Sequence, residues 1–216
     1  MSELFGSIDE IVKAYEYYMR DVDSQARNSE DGRAYGGILR ASKGTLVETI
    51  AESLVHIAWV NVSGNYDRLD TSGHRISYTS SQGDTYSFKP DVLVKVDDDV
   101  VMAIECKAYT ENAMYKRILT DAKITKDAYA NAEYVLFQLE SQLGGDYSSL
   151  THEPTGSSST RALNSLFDVD IKIITLLEGE RKVDEPIHDP RFYKPLTEDS
   201  LEYALSYFEG VLGVYV

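Results

Sequence analysis

The most informative segment of the sequence is Lys89-Pro-Asp-Val-Leu-Val-Lys-Val, then Asp97-Asp-Asp, then Val100-Val-Met-Ala-Ile-Glu-Cys-Lys-Ala-Tyr109. Two runs of β-branched and aliphatic residues flank a polar turn, and this pattern predicts a β-hairpin. Side chains alternate between the two faces of a strand. The expected faces are Val101, Ala103, Glu105 and Lys107 on one side and Val100, Met102, Ile104 and Cys106 on the other.

The charges on this apolar hairpin need partners, because an unpaired buried charge is costly. Asp91 stands at its start, and Glu105 and Lys107 stand near its end. Two carboxylates within ~4 Å would repel each other by about 4 kcal/mol at an effective dielectric of 20. A Mg²⁺ ion between them would reverse that sign, because it binds carboxylate, carbonyl and water oxygens. The alternative is that Lys107 pairs with Glu105 at a sheet edge while Asp91 caps a turn, and charge placement alone leaves both interpretations open.

Pro90-Asp91, thirteen intervening residues and Glu105-Cys106-Lys107 resemble the Pro-Asp…(Asp/Glu)-x-Lys motif of a nuclease superfamily. That superfamily includes many type II restriction endonucleases, Holliday-junction resolvases and repair nucleases. The resemblance extends over residues 44–179 in the order of elements. It implies an α/β fold with a restriction-endonuclease-like αβββαβ core, a mixed central sheet flanked by helices, and additional N- and C-terminal helices. We expect a single nuclease domain over residues 1–216.

The same resemblance implies a reaction and assigns roles in it. The reaction is Mg²⁺-dependent hydrolysis of a DNA phosphodiester by in-line attack of water. Asp91 and Glu105 would hold the metal, with the backbone carbonyl of Cys106 as a third protein ligand. Lys107 would position the attacking water or stabilise charge in the transition state. The Cys106 side chain is expected to face the other side of its strand and pack in the core.

A predicted helix beginning at Thr45 precedes the hairpin. In this superfamily such a helix often supplies a further acidic residue to the metal site, and Glu48 is the expected one, with Glu52 as the reserve. The alternative is purely structural. Thr45 and Glu48 match the Ser/Thr-x-x-Glu capping box, which would explain Glu48 without any catalytic role.

Net charge argues against an ordinary DNA-binding surface. The 216 residues include 36 acidic and 21 basic ones, giving a net charge of −15 that opposes a phosphate backbone. Basic residues must then be gathered locally, and the alternative for each of them is a solvated loop charge. The expected DNA-binding residues are Arg33, Lys43, Lys89, Arg181 and Lys182.

The remaining elements follow from periodicity and caps. We expect helices over residues 8–22, over most of 111–143 and after Thr197, and strands over 75–79, 85–88 and 169–177. The Arg-, Gly- and Ser-rich residues 24–44 and residues 146–161 are expected to be loops. The predicted core order is therefore helix, three strands, helix, strand.

The sequence is interpreted as a type II restriction endonuclease acting on double-stranded DNA as a homodimer. Absence of a long apolar run argues against a membrane span, and the single cysteine suits a cytoplasmic protein. Two alternatives remain open. One is a structure-specific nuclease of the same fold, of resolvase or repair type. The other is a non-catalytic acidic protein that mimics DNA, which the net charge favours and the intact motif does not.

Overall fold

The computed structural model describes residues 4–28, 32–148, 156–185 and 189–216, and for residues 22–28, 32–41 and 190 it describes the backbone alone. The helices in these ranges are α1 (Ile8–Asn28), α2 (Gly32–Ser63), α3 (Asn112–Ala128), α4 (Ser158–Phe167) and α5 (Glu198–Leu212). The strands are β1 (Leu69–Asp70), β2 (Ile76–Thr79), β3 (Thr85–Phe88), β4 (Val92–Val96), β5 (Asp99–Thr110), β6 (Glu133–Ser141) and β7 (Lys172–Thr175). Short 3₁₀ turns lie at Pro190–Phe192 and Gly213–Tyr215.

A five-stranded sheet of order β1-β4-β5-β6-β7 forms the centre of the fold. Its β1–β4 and β4–β5 pairs are antiparallel, and its β5–β6 and β6–β7 pairs are parallel. Parallel neighbours need a crossover connection, and α3 and α4 lie in those two connections. The predicted α/β class with a mixed sheet is confirmed. Because β5 lies between β4 and β6, the motif does not stand at a sheet edge.

The predicted hairpin is confirmed as β4 and β5, with a turn one residue shorter than expected. Asp99 pairs with Val96, so only Asp97 and Asp98 form the loop. Their φ angles are 51° and 72°. Two-residue hairpin loops favour this left-handed conformation at both positions, and Asp tolerates it.

A β-bulge interrupts the simple alternation expected along β5. Met102 pairs with Val94 and Val100 pairs with Lys95, which leaves Val101 as the extra residue. Val101 therefore packs in the same core cluster as Met102, while Val100 packs with Ala103. The predicted faces of Val100 and Val101 are wrong, whereas those of Met102, Ala103, Ile104 and Cys106 agree with the two clusters.

Two apolar clusters cover the two faces of the sheet. On one face, Ile104, Cys106 and Phe137 pack with α1, α2 and α5. On the other, Ala103 and Leu136 pack with α3, with part of α4 and with the ends of the β2–β3 hairpin. Among the described residues, every helix is too short or too polar to span a bilayer.

The predicted helix over residues 111–143 is only half right. Helix α3 ends at Ala128, and residues 133–141 form β6, which is buried along nearly its whole length. A strand with both faces covered is typically a near-continuous run of apolar residues rather than an alternation. Such a run contains the helical i, i+3 and i+4 spacings as well, so periodicity cannot distinguish the two structures.

Helix α2 begins at Gly32 rather than at Thr45, so the predicted loop over residues 24–44 is wrong in its described part. Helix α1 likewise continues to Asn28. Thr45 is an interior residue whose carbonyl accepts a hydrogen bond from Oγ1 of Thr49 at 2.9 Å. The capping-box explanation of Glu48 is therefore wrong. Glycine costs about 1 kcal/mol in a helix interior, which is why the glycines of this segment suggested a loop.

The strands predicted at 75–79 and 85–88 exist as β2 and β3, but they form a separate two-stranded sheet. The third antiparallel strand of the central sheet is β1, for which no strand was predicted. The strand predicted over residues 169–177 is present as β7, which is shorter, at Lys172–Thr175. Caps are present at Ser7, before α1, and at Thr197, before α5; their hydroxyls accept hydrogen bonds from Glu10 N and Ser200 N. Of the predicted loop at 146–161, residues 149–155 lie outside the described ranges, and α4 begins within its last part.

Candidate active site

Strand pairing brings the motif residues together. Asp91 immediately precedes β4, and its Oδ2 accepts a hydrogen bond of 2.7 Å from the backbone N–H of Cys106 on β5. Because Val92 pairs with Ile104, Asp91 lies across from the segment that carries Glu105 and Lys107. The Cys106 thiol lies in the core, and burial raises its pKa well above the ordinary value. The prediction that this side chain packs in the core is confirmed.

The Lys107 ammonium lies at the centre of this group. Its Nζ is 2.5 Å from Glu105 Oε1, 2.9 Å from the Cys106 carbonyl oxygen and 3.4 Å from Asp91 Oδ2. These three oxygens are the expected metal ligands, and here they surround a cationic nitrogen. Two carboxylates and a carbonyl are hard oxygen donors of the kind that Mg²⁺ takes. The donor set therefore fits a divalent cation.

The described residues contain no group of three or more His, Cys, Asp or Glu side chains arranged to hold a metal. The motif offers two carboxylates and one backbone carbonyl instead. This agrees with the usual coordination of Mg²⁺ in proteins, where one or two carboxylates bind the ion and several waters remain bound to it. A cation here would depend on water and phosphate oxygens for its remaining ligands.

Burial strengthens the electrostatics of the site. The Glu105 side chain is 10% exposed and that of Lys107 is 28% exposed. Desolvation pulls the pKa of Lys107 down, but Glu105 and Asp91 more than offset it, and the pKa is raised. The lysine therefore remains cationic at neutral pH. Burial raises the pKa of Glu105, against the opposing effect of Lys107.

Glu48 lies in the electrostatic field of this site. Partial desolvation and then the Asp91 carboxylate raise its pKa, while Lys107 lowers it. The reserve candidate, Glu52, is engaged elsewhere because its carboxylate accepts a 2.7 Å hydrogen bond from Oγ1 of Thr71. The Glu48 carboxylate thus interacts with the motif residues, whereas that of Glu52 is bonded to Thr71.

Sequence reasoning missed a buried acidic residue beside the site. Asp121 on α3 is 1% exposed and accepts a hydrogen bond of 2.8 Å from the Tyr86 hydroxyl of β3. The Nε of Arg117, one helical turn earlier, lies 3.6 Å from its Oδ2. Burial raises the pKa of Asp121. The available signal was an aspartate on the apolar face of α3, between Leu119 and Ala122.

Two of the expected DNA-binding residues are exposed. Lys89 adjoins the motif and Lys182 lies beyond β7. For Arg33 the backbone is part of α2, and the side chain lies outside the described part of the chain.

Lys43 and Arg181 are buried in a charge cluster instead of being exposed. They are 6% and 7% exposed, and Arg181 Nε lies 3.9 Å from Oε2 of Glu140. Lys194 Nζ approaches the other oxygen of Glu140 at 3.6 Å. Desolvation lowers the pKa of Lys43 to about 8. In this conformation both side chains are almost fully shielded from solvent.

Comparison with known proteins identifies the chain at the level of its family. It is 42% identical over 227 aligned residues to the type II restriction enzyme DdeI of Desulfomicrobium norvegicum, across 94% of this chain and 95% of that protein. The chain belongs to the type II restriction enzymes. Its enzymatic class is therefore that of a site-specific deoxyribonuclease, an endonuclease of a restriction system.

No protein-family model matches the chain. A solved structure described as the native BbvCI A2B2 tetramer at low resolution overlaps 94% of this chain and 91% of its own, with 13% identity and a TM-score of 0.38. A superposition this weak carries no argument about function.

Proposed function

We propose that this protein cleaves double-stranded DNA at a specific sequence by Mg²⁺-dependent hydrolysis, with its site built from Asp91, Glu105, Cys106, Lys107 and Glu48. The observation that carries the proposal is the convergence on the Lys107 ammonium of three oxygens, from Asp91, Glu105 and the Cys106 backbone. Three such donors around one cation form the ligand set that the Pro-Asp…Glu-x-Lys motif is expected to provide.

Each residue has a task in the proposed reaction. Asp91, Glu105 and the Cys106 carbonyl would hold Mg²⁺, which when bound supplies Lewis acidity at the phosphate and a more acidic water. The Cys106 N–H donates to Asp91, and this fixes the orientation of the carboxylate before any ligand arrives. Lys107 donates a hydrogen bond to the attacking water or to a phosphate oxygen. Glu48 accepts from water in the site.

We further propose that residues 1–216 form one catalytic domain and that the active form is a cytoplasmic homodimer. Two identical sites related by a two-fold axis would cut the two strands of a symmetric target. The alignment to one relative along nearly the whole chain supports the single domain. The lone, buried thiol suits a reducing compartment.

Incubation of the purified protein with phage DNA, in MgCl₂ or in EDTA, tests this proposal. We expect discrete fragments with Mg²⁺, none with EDTA, and none from Asp91→Asn under either condition. Preference for branched substrates over phage DNA would indicate a structure-specific nuclease of the same fold. Absence of cleavage on every DNA substrate would contradict the assigned chemistry.

A further inference from the structure

A cleft with a volume of about 680 Å³ lies between the β2–β3 hairpin and α3. Its lining includes three cationic residues, Arg75, Lys89 and Arg117, together with the hydroxyl-bearing Tyr86 and Thr120. No acidic residue lines it within the described part of the chain. In a protein with a net charge of −15, this is a local concentration of positive charge.

Neighbouring groups hold the cations in place. Arg75 Nη1 donates to the carbonyl and the hydroxyl of Ser87 on the opposite strand of the hairpin, at 3.4 and 3.3 Å. The stem of Lys89 lies against Gly73, where an added Cβ would come within 2.8 Å of the lysine Cε. The Arg75 guanidinium is therefore held by Ser87, and the stem of Lys89 packs against the Gly73 backbone.

Asp121 joins the two walls of the cleft. Its carboxylate accepts from Tyr86 of the hairpin at 2.8 Å and lies 3.6 Å from Nε of Arg117 on α3. Burying a carboxylate is costly unless partners compensate. Tyr86 and Arg117 are the partners that stabilise the buried Asp121 carboxylate. The Arg117 side chain is 73% exposed, and a guanidinium has five N–H donors. Several of these donors remain free to meet a ligand in the cleft.

The cleft lies beside the candidate active site. Lys89 adjoins Pro90-Asp91 in sequence and acts electrostatically on Glu48. Arg117 is within electrostatic reach of Glu105. A polyanion bound across the catalytic carboxylates would therefore extend into the cleft.

Building on the proposed nuclease function, we propose that this cleft binds the DNA backbone beside the scissile phosphate. Arg75, Lys89 and Arg117 contact phosphate oxygens there. Asp121 is a positioning residue that orients Arg117 and, through Tyr86, fixes the hairpin against α3. Phosphate contacts of this kind set register and affinity without reading sequence. The cleft would thus explain how an acidic protein binds DNA.

The test is a salt titration of duplex binding in Ca²⁺, with wild type, Arg75→Ala and Arg117→Ala. Each lost phosphate contact removes about 0.9 from the slope of log affinity against log salt. We expect each variant to bind about tenfold more weakly at 0.1 M salt, on specific and non-specific duplexes alike. Lys123→Ala is the matched control, because Lys123 is on α3 outside the cleft and pairs with Asp127 at 2.6 Å. The control should keep the wild-type slope.

Asp121→Asn tests the positioning role, because it removes the charge and keeps an oxygen that can accept from Tyr86. It should weaken binding in the wild-type background and have little further effect in the Arg117→Ala background. Should Asp121→Asn fail to fold, Tyr86→Phe provides the same comparison, with loss of affinity expected there too.

Slopes for Arg75→Ala and Arg117→Ala equal to that of wild type would overturn the inference, and so would fully additive losses for Asp121→Asn and Arg117→Ala. Either result would leave metal-dependent cleavage by wild type intact. Failure of the proposed function is separate, because it would appear as absence of wild-type cleavage whatever the salt slopes.

Discussion

Lys107 and Glu105 project from the same face of β5, and Nζ of Lys107 lies 2.5 Å from Oε1 of Glu105. The same ammonium donates a hydrogen bond to the Cys106 carbonyl and forms an ion pair with Asp91. A divalent cation bound at this site would use the same oxygens, so the cation and the lysine would compete for them in the absence of DNA.

Lys107→Met should therefore bind a divalent cation more tightly and yet lose activity. Removing a positive charge a few ångströms from the ligands should tighten binding by about tenfold or more. Turnover should fall by about 10²–10³-fold, because a positioned cation stabilises charge in the transition state. Metal binding can be read from the thermal shift produced by Mn²⁺, and turnover from plasmid cleavage.

Lys95→Met is the matched control for that experiment. Lys95 pairs with Asp70 at 2.7 Å on the neighbouring strands and does not contact the motif carboxylates. Its metal response should match that of wild type. Unchanged turnover in Lys107→Met would remove the main catalytic assignment.

Asp91→Asn and Glu105→Gln should each reduce cleavage by about a hundredfold or more while the protein stays folded. The asparagine keeps an oxygen able to accept from the Cys106 N–H, so the pairing of β4 and β5 should survive. Plasmid cleavage in Mg²⁺ and thermal unfolding, measured on the same preparations, provide the two readouts. If both variants unfold while metal binding persists, these residues have a structural role.

Glu48→Gln should impair cleavage, and Glu52→Gln should affect mainly stability. The first change removes a carboxylate that feels Asp91 and Lys107, and the second alters a hydrogen bond with Thr71. Cleavage rates over a range of Mg²⁺ concentrations distinguish the pair, because loss of metal support should raise the Mg²⁺ requirement. Equal effects of the two substitutions on cleavage would contradict the choice of Glu48.

Lys43 should make stability depend on pH in the alkaline range. Its folded pKa is about 8, against an ordinary value of 10.5, chiefly through desolvation. Between these values the unfolded chain binds more protons than the folded one, so the free energy of unfolding rises with pH. Relative to Lys43→Met, wild type should gain on the order of 3 kcal/mol from pH 8 to 10.5.

The readout is urea unfolding of wild type and Lys43→Met at several pH values. Lys123→Met serves as the control, because Lys123 is half exposed and paired with Asp127. A constant difference between wild type and Lys43→Met across this range would show that Lys43 titrates normally.

Local patterns were sufficient to predict the hairpin and the convergence of its motif residues. β-Branched residues on both sides of three aspartates favour two paired strands, and the pairing alone brings Asp91 to Cys106. The bulge at Val101 was not predictable, because it depends on register with Val94 and Lys95. Likewise β6 was assigned as helix, since burial of both its faces removes the alternation that marks a strand.

The positions of the charged residues depend on long-range contacts, and this limits how well they can be predicted from the sequence. Lysine and arginine usually lie on the protein surface, so the sequence suggested exposed positions for Lys43 and Arg181. Only the tertiary structure places them around Glu140. Asp121 is paired with Tyr86, whose hydroxyl donates to it from 35 positions earlier in the chain. Short-range periodicity contains no information about such pairs.

Cys106 enters the candidate site through its main chain alone, donating its N–H to Asp91 and offering its carbonyl to Lys107. Its sulfur packs on the opposite face with the core. Core volume therefore governs which residue can stand between the glutamate and the lysine, and alanine or valine could replace the cysteine without loss of a donor or acceptor. Because this is the single thiol of the chain, alkylation should spare the native enzyme and label it only on unfolding, which makes the sulfur an internal reporter of opening.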